Sequence, residues 1–166
     1  MERLGVPGTV FVPTDWAGSA EPMRWDGVYQ WLDGPHEHEM LCMGWDELRE
    51  LADAGWEIGS HTRSHPYLTA VDDERLDAEL RESRLAVERE LGRPCRSIAY
   101  PYGDVDERVV EAAGEAGYRF GASLPKKLGS RVPLDYPRVG VYHVDDLRRF
   151  KLKVSPFVRR VRRYVS

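Results

Sequence analysis

Short β-type runs alternate with longer helical periods along this chain, and no other feature constrains its fold as much. Thr9-Val10-Phe11-Val12 reads as a buried strand. Residues 45–54 read as a helix, with Leu48, Leu51 and Ala52 on one face and Gly55 as its stop. A strand over 56–59 follows, then a loop, then a long helix over 72–91. Asp72 and Asp73 suit the positive end of that helix dipole, Leu76, Leu80, Val87 and Leu91 form its apolar stripe, and Gly92 and Pro94 end it. Strands are expected at 97–100, 118–122 and 138–142, a helix over 105–116 closed by Gly117, and a last helix from Asp145 to Lys153. This alternation predicts parallel strands joined by right-handed crossovers. An open sheet and a barrel both satisfy it, and in either one functional groups collect at the carboxyl ends of the strands. His61, Pro101-Tyr102-Gly103-Asp104 and His143 each follow a strand, so three loops can share one face.

The loop after strand 56–59 reads Ser60-His61-Thr62-Arg63-Ser64-His65-Pro66. A helical turn there would set both imidazoles on one face, with Cβ atoms roughly 5–6 Å apart. Two ring nitrogens could then reach one divalent ion at about 2.0–2.1 Å. The Thr62 and Ser64 hydroxyls can brace the loop through local backbone hydrogen bonds. Catalytic zinc normally takes three protein ligands, so a third must be found. Asp72-Asp73 reads as a helix N-terminal charge pair and Asp145-Asp146 as a helix cap. Asp15, just past strand 9–12, reads as a surface or capping residue, with a makeshift ligand as the alternative. His36 and His38 read as loop residues.

Composition bounds the function without naming it. The 166 residues are 42% hydrophobic and 31% charged, which suits one packed domain. No apolar run approaches the roughly 18 residues a membrane helix needs, so no membrane span is expected. The net charge of −4 divides into −12 over residues 1–147 and +8 over 148–166, where eight Arg and Lys side chains meet no acid. An acidic body argues against nucleic acid as partner. Cys42 and Cys95 stand alone and read as buried free thiols. The irregular stretch 13–44 carries Trp16, Trp25, Tyr29 and Trp31, which either pack the loop or stack on sugar faces. The tail after residue 154 reads as an amphipathic, basic terminal helix.

Together these features resemble the polysaccharide deacetylase family, also called the NodB-homology or carbohydrate esterase 4 family. Trp45-Asp46-Glu47-Leu48 through Gly59-Ser60-His61-Thr62-Arg63-Ser64-His65 is similar to that family's metal-binding His-(Ser/Thr)-x-x-His motif with its preceding helix. Ile98-Ala99-Tyr100-Pro101-Tyr102-Gly103 resembles its Arg-x-Pro-Tyr-Gly motif, with Ala99 in place of the arginine. Thr9–Val12 resembles its second strand, and 111–118 the helix and Gly-Tyr that follow.

The resemblance implies a distorted (β/α) barrel over 1–154, with 155–166 as a separate basic tail. It also implies one divalent ion, zinc above all, and removal of N-acetyl or O-acetyl groups from an acetylated polysaccharide or amino sugar. By that resemblance His61 and His65 match the metal ligands. Tyr102 matches the residue whose backbone N–H steadies the oxyanion and, with Pro101, faces the sugar; Trp31 is the tryptophan of the insertion singled out for stacking on it, and His143 reads either as the family's late catalytic histidine or as an exposed strand-end histidine. The family's Thr-Phe-Asp-Asp-Gly motif, which supplies the base and third metal ligand, does not occur in these residues. The expectation is therefore a barrel lacking its first βα unit, with crippled deacetylase activity and reduced stability. A non-catalytic carbohydrate-binding relative and an incomplete gene product are the alternatives, and the compartment stays open between cytoplasm and cell envelope.

Overall fold

A computed structural model describes residues 2–124, 132–142 and 144–156. Five parallel strands form one sheet in the order β1 (Thr9–Val12), β2 (Glu57–Ser60), β3 (Ser97–Ala99), β4 (Phe120–Ser123) and β5 (Tyr136–Pro137). β1 and β2 run in register, Thr9 opposite Glu57 and Val12 opposite Ser60. The sequential order follows from the crossovers: α1 (Trp45–Asp53) joins β1 to β2, α2 (Asp73–Leu91) joins β2 to β3, and α3 (Glu107–Glu115) joins β3 to β4. α4 (Leu147–Val154) follows β5. Among the described strands β1 and β5 stand at the two ends of the row, so the barrel implied by the resemblance is not closed by them.

The helices begin and end for local reasons. Asp72 caps α2 by accepting from Arg75 N at 2.9 Å, and Gly92 ends it in the left-handed region at φ 63°. Asp106 and Asp146 cap α3 and α4 in the same way. Asp73 pairs with Arg108 at 2.7 Å. The core lies between sheet and helices and holds Val12, Leu48, Ile58, Leu68, Leu76, Leu80, Val87, Ile98, Tyr100 and Val109. Cys95 is buried within it, whereas Cys42 is only half-buried.

Two expectations change. The strand expected at 138–142 is not formed; the last strand is the two-residue β5 just before it. The backbone past it bonds to side chains instead: Gly140 O accepts from Lys153 Nζ at 2.9 Å, and Tyr142 N donates to Asp145 Oδ2 at 2.8 Å. The histidine loop is also not helical. Thr62 and His65 both take left-handed backbone, at φ 66° and 62°. His143 and residues 157–166 lie outside the described residues, so the late-histidine and terminal-helix expectations fall there.

Candidate active site

The carboxyl edge of the sheet gathers the chemistry. His61 follows β2 directly, and its N–H donates to Val12 O at 2.8 Å, extending the β1–β2 pairing. Thr14 N and Asp15 N continue that pairing onto Thr62 O and Arg63 O, at 3.1 and 3.0 Å. The chain then turns back through left-handed residues, which is costly for side chains other than glycine and is tolerated where the surroundings enforce it. The enforcement is visible. Thr62 Oγ1 accepts from His65 N, and Ser60 Oγ from Thr62 N. The buried carboxylate of Glu79 on α2 accepts from Arg63 N and Ser64 N at 2.9 Å each and from Ser64 Oγ at 2.5 Å.

This loop brings the two imidazoles together without a helix. Their ring centroids are 4.7 Å apart and the planes cross at 84°. His61 Nδ1 bonds Ala99 O at 2.6 Å, which fixes that nitrogen as the N–H and leaves Nε2 as the lone pair. His65 Nδ1 is buried with no hydrogen-bond partner. Burial pushes the His61 pKa down to about 4, against a smaller upward pull from the Ala99 carbonyl. Burial, then the charge of His61, pushes His65 down to about 3. Both rings are therefore neutral near pH 7, the state in which imidazole binds a metal.

Against His65 opens an aromatic cleft of about 340 Å³. Trp25 stacks on His65, centroids 4.0 Å apart and 13° between planes. Tyr102 meets His65 edge-on at 4.7 Å and stacks on Tyr67 at 3.9 Å. Arg24, Asp26, Tyr29, Pro66, Ala70 and Val71 complete the lining. Tyr102 takes left-handed backbone at φ 58°, and its N–H bonds no backbone acceptor among the described residues. Pro101 is buried beside it. Trp31 sits on a 3₁₀ turn, 44% exposed, and does not line the cleft; Trp25 and Tyr29 of the same insertion do.

The donor set fits a divalent ion in part. Two neutral imidazoles with uncommitted nitrogens suit zinc, and the Ala99 carbonyl on His61 is the outer hydrogen bond such ligands usually carry. Among the described residues no third His, Cys, Asp or Glu joins them. Asp15 is held by Arg63 at 3.1 Å, and Asp145 by Lys153 at 2.6 Å. His36 is exposed and bonds Glu39, and His38 sits on the same 3₁₀ turn.

A family model described as polysaccharide deacetylase matches residues 1–121. The chain belongs to the polysaccharide deacetylase family. Among its relatives, chitin deacetylase 2 of Cryptococcus neoformans is 46% identical over 57 residues, which is 34% of this chain and 12% of that protein. The peptidoglycan-N-acetylglucosamine deacetylase of Bacillus cereus is 29% identical over 72 residues, 43% of this chain and 33% of that protein. The fold matches the Streptococcus pyogenes deacetylase PplD in complex with acetate, with TM-score 0.71 and 16% identity over 93% of this chain and 62% of that one. It matches a de-N-acetylase from Aggregatibacter actinomycetemcomitans equally, with TM-score 0.71 and 17% identity over 90% and 66%. The chain spans a third or less of the length of the curated relatives it matches. In this member of the family five parallel strands form the sheet, and the histidine loop leaves its carboxyl edge after β2.

Glu79, Trp25 and Arg138 are site residues that the motifs did not single out. Glu79 was signalled by being a carboxylate inside the stripe of Leu76, Leu80 and Val87. Trp25 had no signal beyond its residue type. Arg138 carried no signal, because its stretch reads as the start of a strand.

Proposed function

We propose that this chain acts on an acetylated polysaccharide or amino sugar, hydrolysing N-acetyl or O-acetyl groups with one divalent ion, zinc, held by His61 and His65. The observation that carries this reading is the pair of neutral, crossed imidazoles, one of them with a buried nitrogen lacking a partner among the described residues, and the Tyr102 ring against His65, its N–H bonding no backbone acceptor among the described residues. When bound, zinc supplies Lewis-acid polarisation of a carbonyl or of water. The chain's own groups do the rest. The Ala99 carbonyl holds the His61 tautomer and ring direction. The Tyr102 N–H donates to the oxyanion that develops on the acetyl carbonyl, its left-handed backbone turning it out of any helix or strand ladder. Trp25, Tyr29, Tyr67 and Tyr102 offer flat faces to a sugar ring. The resemblance to the family gives His143, which lies outside the described residues, the late proton-transfer role.

Among the described residues no carboxylate joins the imidazole pair as a third metal ligand. Proton transfer by a placed base is worth roughly 10²–10⁴ in rate. That missing group also favours a second reading, a sugar-binding relative that retains the cleft and has lost turnover. Acetate release from acetylated chito-oligosaccharides with added zinc separates the two. The deacetylase reading expects slow release, abolished by a chelator and by His65→Ala. Tight sugar binding with no release at any zinc concentration favours the binding relative. Fast release that ignores both chelator and His65→Ala would overturn the metal assignment.

A further inference from the structure

α4 adds no residue to the core, and none of its side chains is buried. Among the described residues its side-chain hydrogen bonds run only to the loop before it. Lys153 Nζ donates to Gly140 O at 2.9 Å and to Asp145 Oδ2 at 2.6 Å, and stands 4.9 Å from the Tyr142 ring centroid. Arg149 Nη1 donates to Val144 O at 3.1 Å. A surface helix ordinarily turns its apolar stripe inward. Here the stripe faces out. At helical spacing Leu147, Phe150 and Val154 fall together, and they are 66%, 41% and 42% exposed. Val141, Tyr142 and Val144 in the preceding loop are exposed as well.

Charge on the same helix selects the partner. Lys151 borders the stripe and Arg148 lies one step further round, and neither side chain has an ion pair or hydrogen bond among the described residues. The sequence runs on through Arg159, Arg160, Arg162 and Arg163, with no acid after residue 146. A nucleic acid would use these cations but has no place for an apolar stripe, because its affinity rests on phosphates. A second copy docked through the same face would set like charges against each other. An anionic bilayer surface accepts both features. Its acyl boundary takes the apolar side chains and its headgroup phosphates take the cations.

We infer that α4 and the loop before it dock on an anionic lipid surface, with Leu147, Phe150 and Val154 at the acyl boundary and Arg148 and Lys151 on the headgroups. The helix lies on the bilayer and does not cross it: eight residues rise about 12 Å, against a hydrocarbon core of about 30 Å. This inference goes beyond the proposed reaction and needs neither metal nor turnover.

The test floats the full chain with vesicles of phosphatidylcholine alone and of phosphatidylcholine mixed with phosphatidylglycerol. The chain should bind the mixed vesicles and leave the neutral ones. Raising salt from about 0.1 M to about 1 M, which shortens the screening length from about 10 Å to about 3 Å, should release most of it. The pair Leu147→Ser with Phe150→Ser should weaken binding about tenfold or more, and the pair Arg148→Gln with Lys151→Gln by a similar factor. None of these four side chains is buried, so both variants should keep the wild-type thermal midpoint. Should either fail to fold, amide hydrogen exchange of wild-type α4 decides: it must slow on mixed vesicles and stay unchanged on neutral ones. No binding to mixed vesicles, or binding unchanged in either pair, overturns the surface. So does duplex DNA or polyglutamate held as tightly as the mixed vesicles, or a dimer in solution that the Leu147→Ser, Phe150→Ser pair dissolves.

Discussion

Glu79 sets the geometry of the histidine loop from outside it. Its carboxylate, 4% exposed, spans Arg63 N, Ser64 N and Ser64 Oγ, and so fixes the turn that brings His65 back to His61. Glu79→Ala leaves two backbone donors unpaired in a half-buried loop, at about 1–3 kcal/mol each. Denaturant unfolding should show a loss of about 2–5 kcal/mol, and zinc affinity should fall with it; a loss under 1 kcal/mol with unchanged affinity would remove Glu79 from the account. The histidines themselves predict a pH dependence. Their folded pKa values, about 4 and about 3, lie below the ordinary 6.5, so the unfolded chain takes up protons first as pH falls. Their neutral burial leaves stability unpenalised above about pH 6.5, and stability is lost progressively as pH drops through 6.5 toward 4. Each histidine contributes a slope of up to about 1.4 kcal/mol per pH unit. Thermal midpoints of the metal-free chain between pH 7.5 and 4.5 check this, and His65→Ala should flatten the curve. The histidine pair was legible from spacing after a strand. The left-handed turns that bring the rings together were not, because they depend on Glu79, 14 residues beyond His65 in the sequence.

At the scale of elements, β2 and α2 carry the site and are where substitutions speak most clearly. A Cβ on Gly59 would stand 2.5 Å from Ser97 Oγ and 2.8 Å from the Phe11 ring. Neighbours from both β1 and β3 close on that position, so Gly59→Ala should cost at least the 1–3 kcal/mol typical of overpacking and shift the strand that ends in His61. A Gly59→Ala chain as stable as wild type would mean the sheet is looser here than its contacts imply. Asp72→Ala should cost about 1 kcal/mol through loss of the α2 cap alone, measurable by the same unfolding. The helices were legible because caps, stripes and glycine stops are local signals, and α1, α2 and α3 lie within two residues of their expected bounds. Val139-Gly140-Val141-Tyr142 alternates like a strand, but its backbone groups are met by Lys153 and Asp145 rather than by a neighbouring strand. A pattern of residue types cannot reveal which partner satisfies the backbone.

Across the whole molecule, parallel strands joined by helical crossovers were legible in the alternation of strand and helix signals, and in the fold the sheet runs β1 to β5 in sequence order. The aromatic cleft was not legible, since residues 13–44 have no periodicity and only the folded chain lays Trp25 on His65 and leaves Trp31 outside. No helix of the described residues is long and apolar enough to cross a membrane. What the parts build is a deacetylase-family sheet whose carboxyl edge holds two neutral imidazoles and a half-buried guanidinium, with no carboxylate among the described residues joining the imidazole pair as a third metal ligand. The central claim is that the imidazoles hold a metal, and zinc binding by chelator competition tests it most directly. The account predicts one zinc per wild-type chain, with affinity falling sharply in both His61→Ala and His65→Ala while Asp15→Ala binds like wild type. Full zinc occupancy in either histidine variant would contradict it.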